Sequence, residues 1–217
     1  WIYFGTGRYL ATSDPGSTAI QTWYGVSDTG SVIASRSNLA QRAILQEGST
    51  GQGDSYRVIS KPGDTTGGTS MSGKRGWYID LQSPTAGAEG ERIINPPVLG
   101  ATTLFVSTLI PSSNPCEPGG RGWVLGVNPF TGGRQDFDVF DFTRNGIVDA
   151  SDQVTHTEGS TSRRVVGSGY STDSLPGSPL QIGKQQIVGG SDGTARSRVV
   201  SDGLRAGRVS WKEIIGD

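Results

Sequence analysis

Residues 141–152, DFTRNGIVDASD, gather Asp141, Thr143, Asn145, Asp149 and Asp152 around Gly146 in one short polar stretch. A twelve-residue calcium loop of the EF-hand type offers oxygens at positions 1, 3, 5, 7, 9 and 12, with glycine at 6 for the sharp turn. Asp141, Thr143, Asn145, Asp149 and Asp152 fall on positions 1, 3, 5, 9 and 12, and Gly146 on 6. Ile147, at position 7, would give its main-chain carbonyl. Val148, at position 8, is the apolar residue expected to pack inward. The side-chain set is three carboxylates plus the neutral Thr143 and Asn145. Calcium, a hard cation, suits such a set, and mutual repulsion of the carboxylates predicts a loop that is mobile without the ion. The competing reading is a polar turn in which Asp141 and Asn145 accept from main-chain N–H groups. One His and one Cys in the whole chain disfavour zinc.

Other chemistry-bearing patterns are weaker. GGSDG (189–193) matches the G-x-S-x-G nucleophile pattern around Ser191, but the next residues, TARSRVV, read as a strand and not a helix. The single histidine, His156, precedes Ser191, against the chain order of that hydrolase family. GTGRYL (5–10) lacks the third glycine of a phosphate loop and reads as a strand end. Lys74 and Arg75, adjacent in GKRGW, read as a solvated turn. Trp1, Trp23, Trp77, Trp123 and Trp211 sit in strand-like runs and read as packing residues between sheets.

The elements that must hold the loop are short strands. WIYFGTG, QTWYGVSD, SYRVIS, RGWYIDLQ, TTLFVSTLIP, RGWVLGVNP, SRRVVGSG, QQIVGGSDG and GRVSWKEI are rich in Val, Ile and aromatics and bounded by Gly, Pro, Asn or Asp. Residues 35–48, SRSNLAQRAILQEG, carry the one helical spacing (Leu39, Ala43, Ile44) and fit either a short helix or an extended segment. A weak repeat relates 95–111 to 177–193, with WIYFGTG as the second half of the same unit. An aromatic-bearing strand comes after each: TWYGVSD, GWVLGVNPFTG and GRVSWKEI. YRVIS and GWYID suggest a fourth, less regular pair. Repeated strand pairs with Gly-rich turns predict an all-β fold, a β-propeller of roughly four blades at about 40–50 residues each. A β-sandwich is the alternative. Four blades are few for closure, and the chain opens in mid-strand style, so it reads as a piece of a longer protein. A net charge of −1 gives no basic surface for nucleic acid. No apolar run is long enough to span a bilayer. Cys116, alone, has no partner for an internal disulfide.

In order along the chain, YFGTGRYL, QTWYGVSD, RSNLAQ, RGWYIDLQ, the long segment GERIINPPVLGATTLFVSTLIPSSNPCEPGGRGWVLGVNPFTGG, the 141–152 loop and GRVSWKEI resemble the C-terminal propeller domain of PilY-type proteins. The resemblance covers essentially the whole chain, residues 1–217. It implies a calcium loop at 141–152, with Thr143 where the family usually has Asp or Asn. It also implies a secreted, surface-exposed, non-enzymatic protein at the type IV pilus tip of a Gram-negative bacterium. Its partners would be minor pilins and a host-surface receptor or glycan, and its roles pilus assembly, adhesion and twitching motility. Upstream blades and a variable N-terminal half would lie outside this chain. Strand addition of a minor pilin near 207–217 is a further expectation.

Two readings compete. GWVLGVNPFTGG resembles a quinoprotein-dehydrogenase blade motif, with Asn128 in place of its Asp and no clean repeat. A glycan-binding propeller would use exposed Trp and Tyr rings as stacking faces.

Overall fold

The structure, a computed structural model, describes residues 1–114, 119–201 and 203. Its strands in chain order are β1 (Ile2–Gly5), β2 (Thr22–Val26), β3 (Ala40–Arg42), β4 (Ile44–Ser49), β5 (Ser55–Ile59), β6 (Gly76–Asp80), β7 (Val98–Leu99) and β8 (Leu104–Pro111). Then come β9 (Gly120–Val127), β10 (Val154–Glu158), β11 (Thr161–Val165), β12 (Gly169–Thr172), β13 (Leu180–Ile182), β14 (Gln185–Gly189) and β15 (Ala195–Val199). Three short 3-10 turns, at Asp14–Gly16, Arg36–Asn38 and Ala150–Asp152, are the helical elements among the described residues.

The strands form four sheets: β1-β2-β6-β3, β4-β5-β12-β9-β8-β7, β13-β14-β15 and the hairpin β10-β11. Pairing is antiparallel throughout except between β3 and β6. In the largest sheet, β7-β8-β9-β12 is a four-stranded run, and the β4–β5 hairpin joins it through only two paired positions, Gly169 with Arg57 and Tyr170 with Tyr56.

That sheet sits between two apolar cores. Alternate side chains of a strand point to opposite faces. From β8 and β9, Leu104, Val106, Ile110, Trp123, Leu125 and Val127 join Trp23, Trp77 and Ile79 of the first sheet. The intervening Phe105 and Val124 join Phe140, Phe142, Val154, Tyr170, Val188 and Val200 on the other side. With both faces covered, every residue of LFVSTLIP is buried, which is why the sequence there is a continuous apolar run and not an alternating one. Full burial of such side chains contributes about 1.5–3 kcal/mol each. Trp23 and Trp77 meet edge to face at 5.2 Å, and the Trp77 indole N–H donates to the Pro129 carbonyl at 2.8 Å.

One ion pair is fully interior. The Arg57 guanidinium donates to both carboxylate oxygens of Glu91, at 2.6 and 2.7 Å, and to Glu47 at 2.8 Å. It also lies 4.0 Å over the Trp123 ring. This bidentate geometry and a second carboxylate offset the desolvation of a buried charge.

Several sequence expectations are corrected. Residues 35–48 hold no α-helix: after the turn at Arg36–Asn38 the chain is extended through β3 and β4. Ala40, Arg42 and Ile44 are buried alternately, at strand spacing, and Ala40 and Ile44 enter the first core. YRVIS and GWYID do not pair. β5 lies between β4 and β12, and β6 between β2 and β3. The 95–111 and 177–193 repeat does form equivalent hairpins, β7-β8 and β13-β14. Beside β14 the third strand is β15; GRVSWKEI lies outside the described residues, as do Trp211 and Cys116. Among the described residues no helix is long and apolar enough to cross a membrane.

Candidate metal centre

The 141–152 loop starts where the chain leaves the second core. Phe140 bridges Val200 just past β15, and the Asp141 N–H donates to the Val199 carbonyl at 3.1 Å. Phe140 and Phe142 are buried on either side of Asp141, so the loop's first carboxylate is held at the core margin and is only 3% exposed. The loop ends in the turn Ala150–Asp152, which leads into β10. Asp152, 2% exposed, is the second buried carboxylate.

Between these ends the loop folds on its own acceptors. Asp141 Oδ1 accepts from the Asn145 N–H at 3.1 Å and Oδ2 from the Gly146 N–H at 2.8 Å. Asp152 Oδ1 accepts from the Thr143 N–H at 2.8 Å, and Oδ2 from the Asp149 N–H at 3.0 Å. The Thr143 hydroxyl lies 2.9 Å from Asp152 Oδ1 and 3.3 Å from Asp141 Oδ1. Gly146 has φ +85°, a backbone that favours glycine and permits the turn.

The structure therefore brings Asp141, Thr143 and Asp152 together and ties Asn145 to them through its main chain. The other two side chains of the sequence-derived set turn elsewhere. Asn145 Oδ1 accepts from the Ile147 N–H at 2.8 Å. Asp149 caps the 3-10 turn, accepting from the Ser151 hydroxyl at 2.6 Å and from its N–H at 2.8 Å; these bonds, the hydroxyl's first, hold its carboxyl below the ordinary value. Ile147 is exposed, and with an apolar side chain it can offer a metal only its main-chain carbonyl. Val148 is half-buried and joins neither core; Phe142 takes the inward position. Among the described residues no three His, Cys, Asp or Glu side chains stand at metal-holding spacing. The loop offers two buried carboxylates, each with lone pairs left beyond its N–H bonds, plus hydroxyl, amide and carbonyl oxygens. That all-oxygen donor set fits calcium and not zinc.

Four residues outside the ligand positions, Asp138, Asp54, Arg144 and Arg198, shape the site. Asp138, just upstream, has one carboxylate oxygen buried without a hydrogen-bond partner. Burial, and the charges of Asp152 and Asp149, push its carboxyl above the ordinary value. Asp54, in the β4–β5 turn, binds Arg144 Nη2 at 2.6 Å and also pairs with Arg198. Burial raises its carboxyl, but the bonds from Arg144 and Arg198 outweigh this and hold it below the ordinary value. A polar cleft of about 620 Å³, lined by Gln52, Asp54, Asp141, Arg144, Arg196 and Arg198 among others, opens beside the loop. No signal in the sequence marks Asp54 or Arg198, because their approach to the loop is made by sheet pairing.

The hairpin after the loop is anchored by a side chain acting as a peptide group. Gln46 Nε2 donates to the Thr155 carbonyl at 3.0 Å, and the Thr157 N–H donates to Gln46 Oε1 at 2.8 Å. A register shift between Ile44 and Gln46 turns this side chain toward β10.

Residues of the weaker sequence patterns elsewhere make local structural contacts. Asn128 Oδ1 caps the turn at Phe130 and Thr131. Ser191 lies in the turn before β15, its Oγ accepting from the Leu175 N–H at 3.0 Å. Trp23, Trp77 and Trp123 are at most 2% exposed and present no stacking face to a glycan, whereas Trp1 is 45% exposed.

No protein-family profile matches the chain. It is 37% identical over 218 residues to a type IV pilus biogenesis factor PilY1 homolog of Xylella fastidiosa, covering 99% of this chain and 16% of that protein. It is 29% identical over 198 residues to type IV pilus biogenesis factor PilY1 of Pseudomonas aeruginosa, covering 85% of this chain and 17% of that protein. The chain thus spans about a sixth of the length of these relatives. In fold it matches the crystal structure of the Pseudomonas aeruginosa PilY1 C-terminal domain, with TM-score 0.71 and 24% identity over 93% of this chain and 42% of that one. By sequence over nearly its whole length, and by a fold that is the all-β propeller type of that domain, the chain is a PilY1-type segment, homologous to part of the type IV pilus biogenesis factors.

Proposed function

We propose that this chain is a calcium-binding propeller module, without catalysis of its own, in a protein that supports type IV pilus assembly. The observation that carries the calcium part is the burial of Asp141 and Asp152 at opposite ends of one loop, bridged by the Thr143 hydroxyl. Two carboxylates brought together at a core margin repel each other, and a divalent cation bound there supplies the countercharge. Asp141, Thr143, Asn145, Asp152 and the Ile147 carbonyl would hold it, and Asp149 through a modest turn of its capping carboxylate. Because Asp141 is paired to the end of β15 and Asp152 leads into β10, holding both ends fixes how the third sheet and the β10-β11 hairpin sit on the central one.

The pilus part rests on the relatives, which are named as type IV pilus biogenesis factors. We place the module at the cell surface on the pilus tip, in contact with minor pilins, where it serves assembly, adhesion and twitching motility. Chelator-stripped protein titrated with calcium chloride by calorimetry should show saturable binding with Kd on the order of 10⁻⁶–10⁻³ M. Asp141→Ala should abolish it, and magnesium should bind poorly. Absence of binding heat in the unmodified protein would refute the calcium reading. In cells making the full-length protein, Asp141→Ala should alter surface piliation or twitching; unchanged behaviour of both would refute the link between the loop and pilus function.

A further inference from the structure

Three charged side chains from separate elements meet beside the loop without belonging to the ligand set. Asp54 lies in the β4–β5 turn, Arg144 is the fourth residue of the loop, and Arg198 is on β15. Asp54 Oδ1 takes the Arg144 guanidinium at 2.6 Å, and Oδ2 takes Arg198. Arg198 is 8% exposed in its side chain, stacks 4.2 Å from the Tyr170 ring centre and donates through Nη1 to the Asp141 main-chain carbonyl at 2.8 Å. Arg144 is the one non-glycine residue with a left-handed backbone among those described, φ +57°. Such a conformation persists where the surroundings fix it, and here its side chain is fixed by Asp54.

The electrostatic consequence has a sign. The guanidinium charges of Arg144 and Arg198, and of Arg164, which donates to the Ser151 carbonyl at 2.9 Å, oppose a divalent cation in the loop, and the charge of Asp141 already acts on Arg144. Asp54, bonded to Arg144 and Arg198, cancels one of these charges. It also directs the Arg144 guanidinium onto the β4–β5 turn, where it does not compete with the ion for the Asp141 carboxylate. We propose that Asp54 is a positioning residue for the calcium site, acting through Arg144 and Arg198 and never touching the ion; this rests on the calcium reading above. The central sheet thereby sets the affinity of a loop attached to its neighbour.

The test is a calcium titration by calorimetry of the full chain, at low salt, for unmodified protein, Asp54→Asn, Asp54→Glu and Asp54→Asn/Arg144→Ala. Each variant is also melted in chelator to show that it is folded. Asp54→Asn should bind about tenfold more weakly, as expected when a partly buried countercharge beside the loop is removed. Asp54→Glu should recover part of the loss. Removing the freed cation in Asp54→Asn/Arg144→Ala should recover most of it, a rescue that a purely structural role would not give. Calcium binding by the unmodified protein with Asp54→Asn equally tight would overturn this inference and leave the calcium site standing. A double variant as weak as Asp54→Asn would overturn it too. No binding by the unmodified protein would remove the calcium reading and this inference together.

Discussion

Asp141 and Asp152 face each other across the Thr143 hydroxyl, which lies 3.3 Å from one carboxylate and 2.9 Å from the other. Both carboxylates also accept main-chain N–H groups from the residues between them, so the loop is organised by its own bonds. Mutual repulsion of the two carboxylates still needs compensation. N–H donors supply part of the compensation, and the ion has to supply only the remainder.

Gly146→Ala tests that organisation. Open space surrounds the position, so a methyl group meets no neighbour, and only the φ of +85° penalises it. The left-handed backbone costs a non-glycine residue roughly 1–2 kcal/mol. Urea unfolding in chelator should show a loss of that size, and calcium titration a weaker site. A variant as stable as the parent would mean that the loop adopts another conformation.

Arg57→Leu should be far more damaging, because it leaves Glu91, 1% exposed, without its countercharge. Breaking a buried pair from one side costs about 3–5 kcal/mol. Glu91→Gln in the same background should return part of it. Urea unfolding midpoints of the three proteins decide this, and a loss below 1 kcal/mol, roughly the value of a surface pair, would contradict the interior placement.

Acid should weaken the β10–β11 hairpin through His156. Burial, then the charges of Arg163 and Arg134, push its imidazole below the ordinary 6.5. The unfolded chain therefore takes up a proton more readily. Stability from this residue is complete above about pH 6.5 and is lost as the pH falls through the lower folded value, by at most about 1.4 kcal/mol per pH unit. Melting temperatures from pH 8 to 5 should fall more steeply for the parent than for His156→Gln, which can still bond Gln46. Equal slopes would contradict the assignment.

The sequence shows some of this architecture directly and hides the rest for identifiable reasons. LFVSTLIP and GWVLGV read as strands because β-branched and aromatic residues cluster between turn residues, and both faces of their sheet are covered. Which strand pairs with which is not written in such runs: YRVIS and GWYID fit as neighbours by composition, yet they lie in different sheets. Residues 35–48 carry apolar spacing compatible with both periods, and only packing against the first core decides for the strand. The loop is legible because its donor types are local. Asp54 and Arg198 are not, being distant in sequence, and Gln46 is not, since nothing local marks a side-chain amide that stands in for a peptide group.

The most direct measurement is a calcium titration of the isotope-labelled chain, tracked through its backbone amide resonances. A calcium site at 141–152 predicts saturable shifts centred on Thr143, Asn145, Gly146 and Asp149, whose N–H groups already point at the two buried carboxylates, with Asp54 and Arg198 moving at the same calcium concentration. Magnesium should leave these resonances nearly in place. Shifts that fail to saturate, or saturable shifts confined to other parts of the chain, would contradict the claim that residues 141–152 are the calcium site.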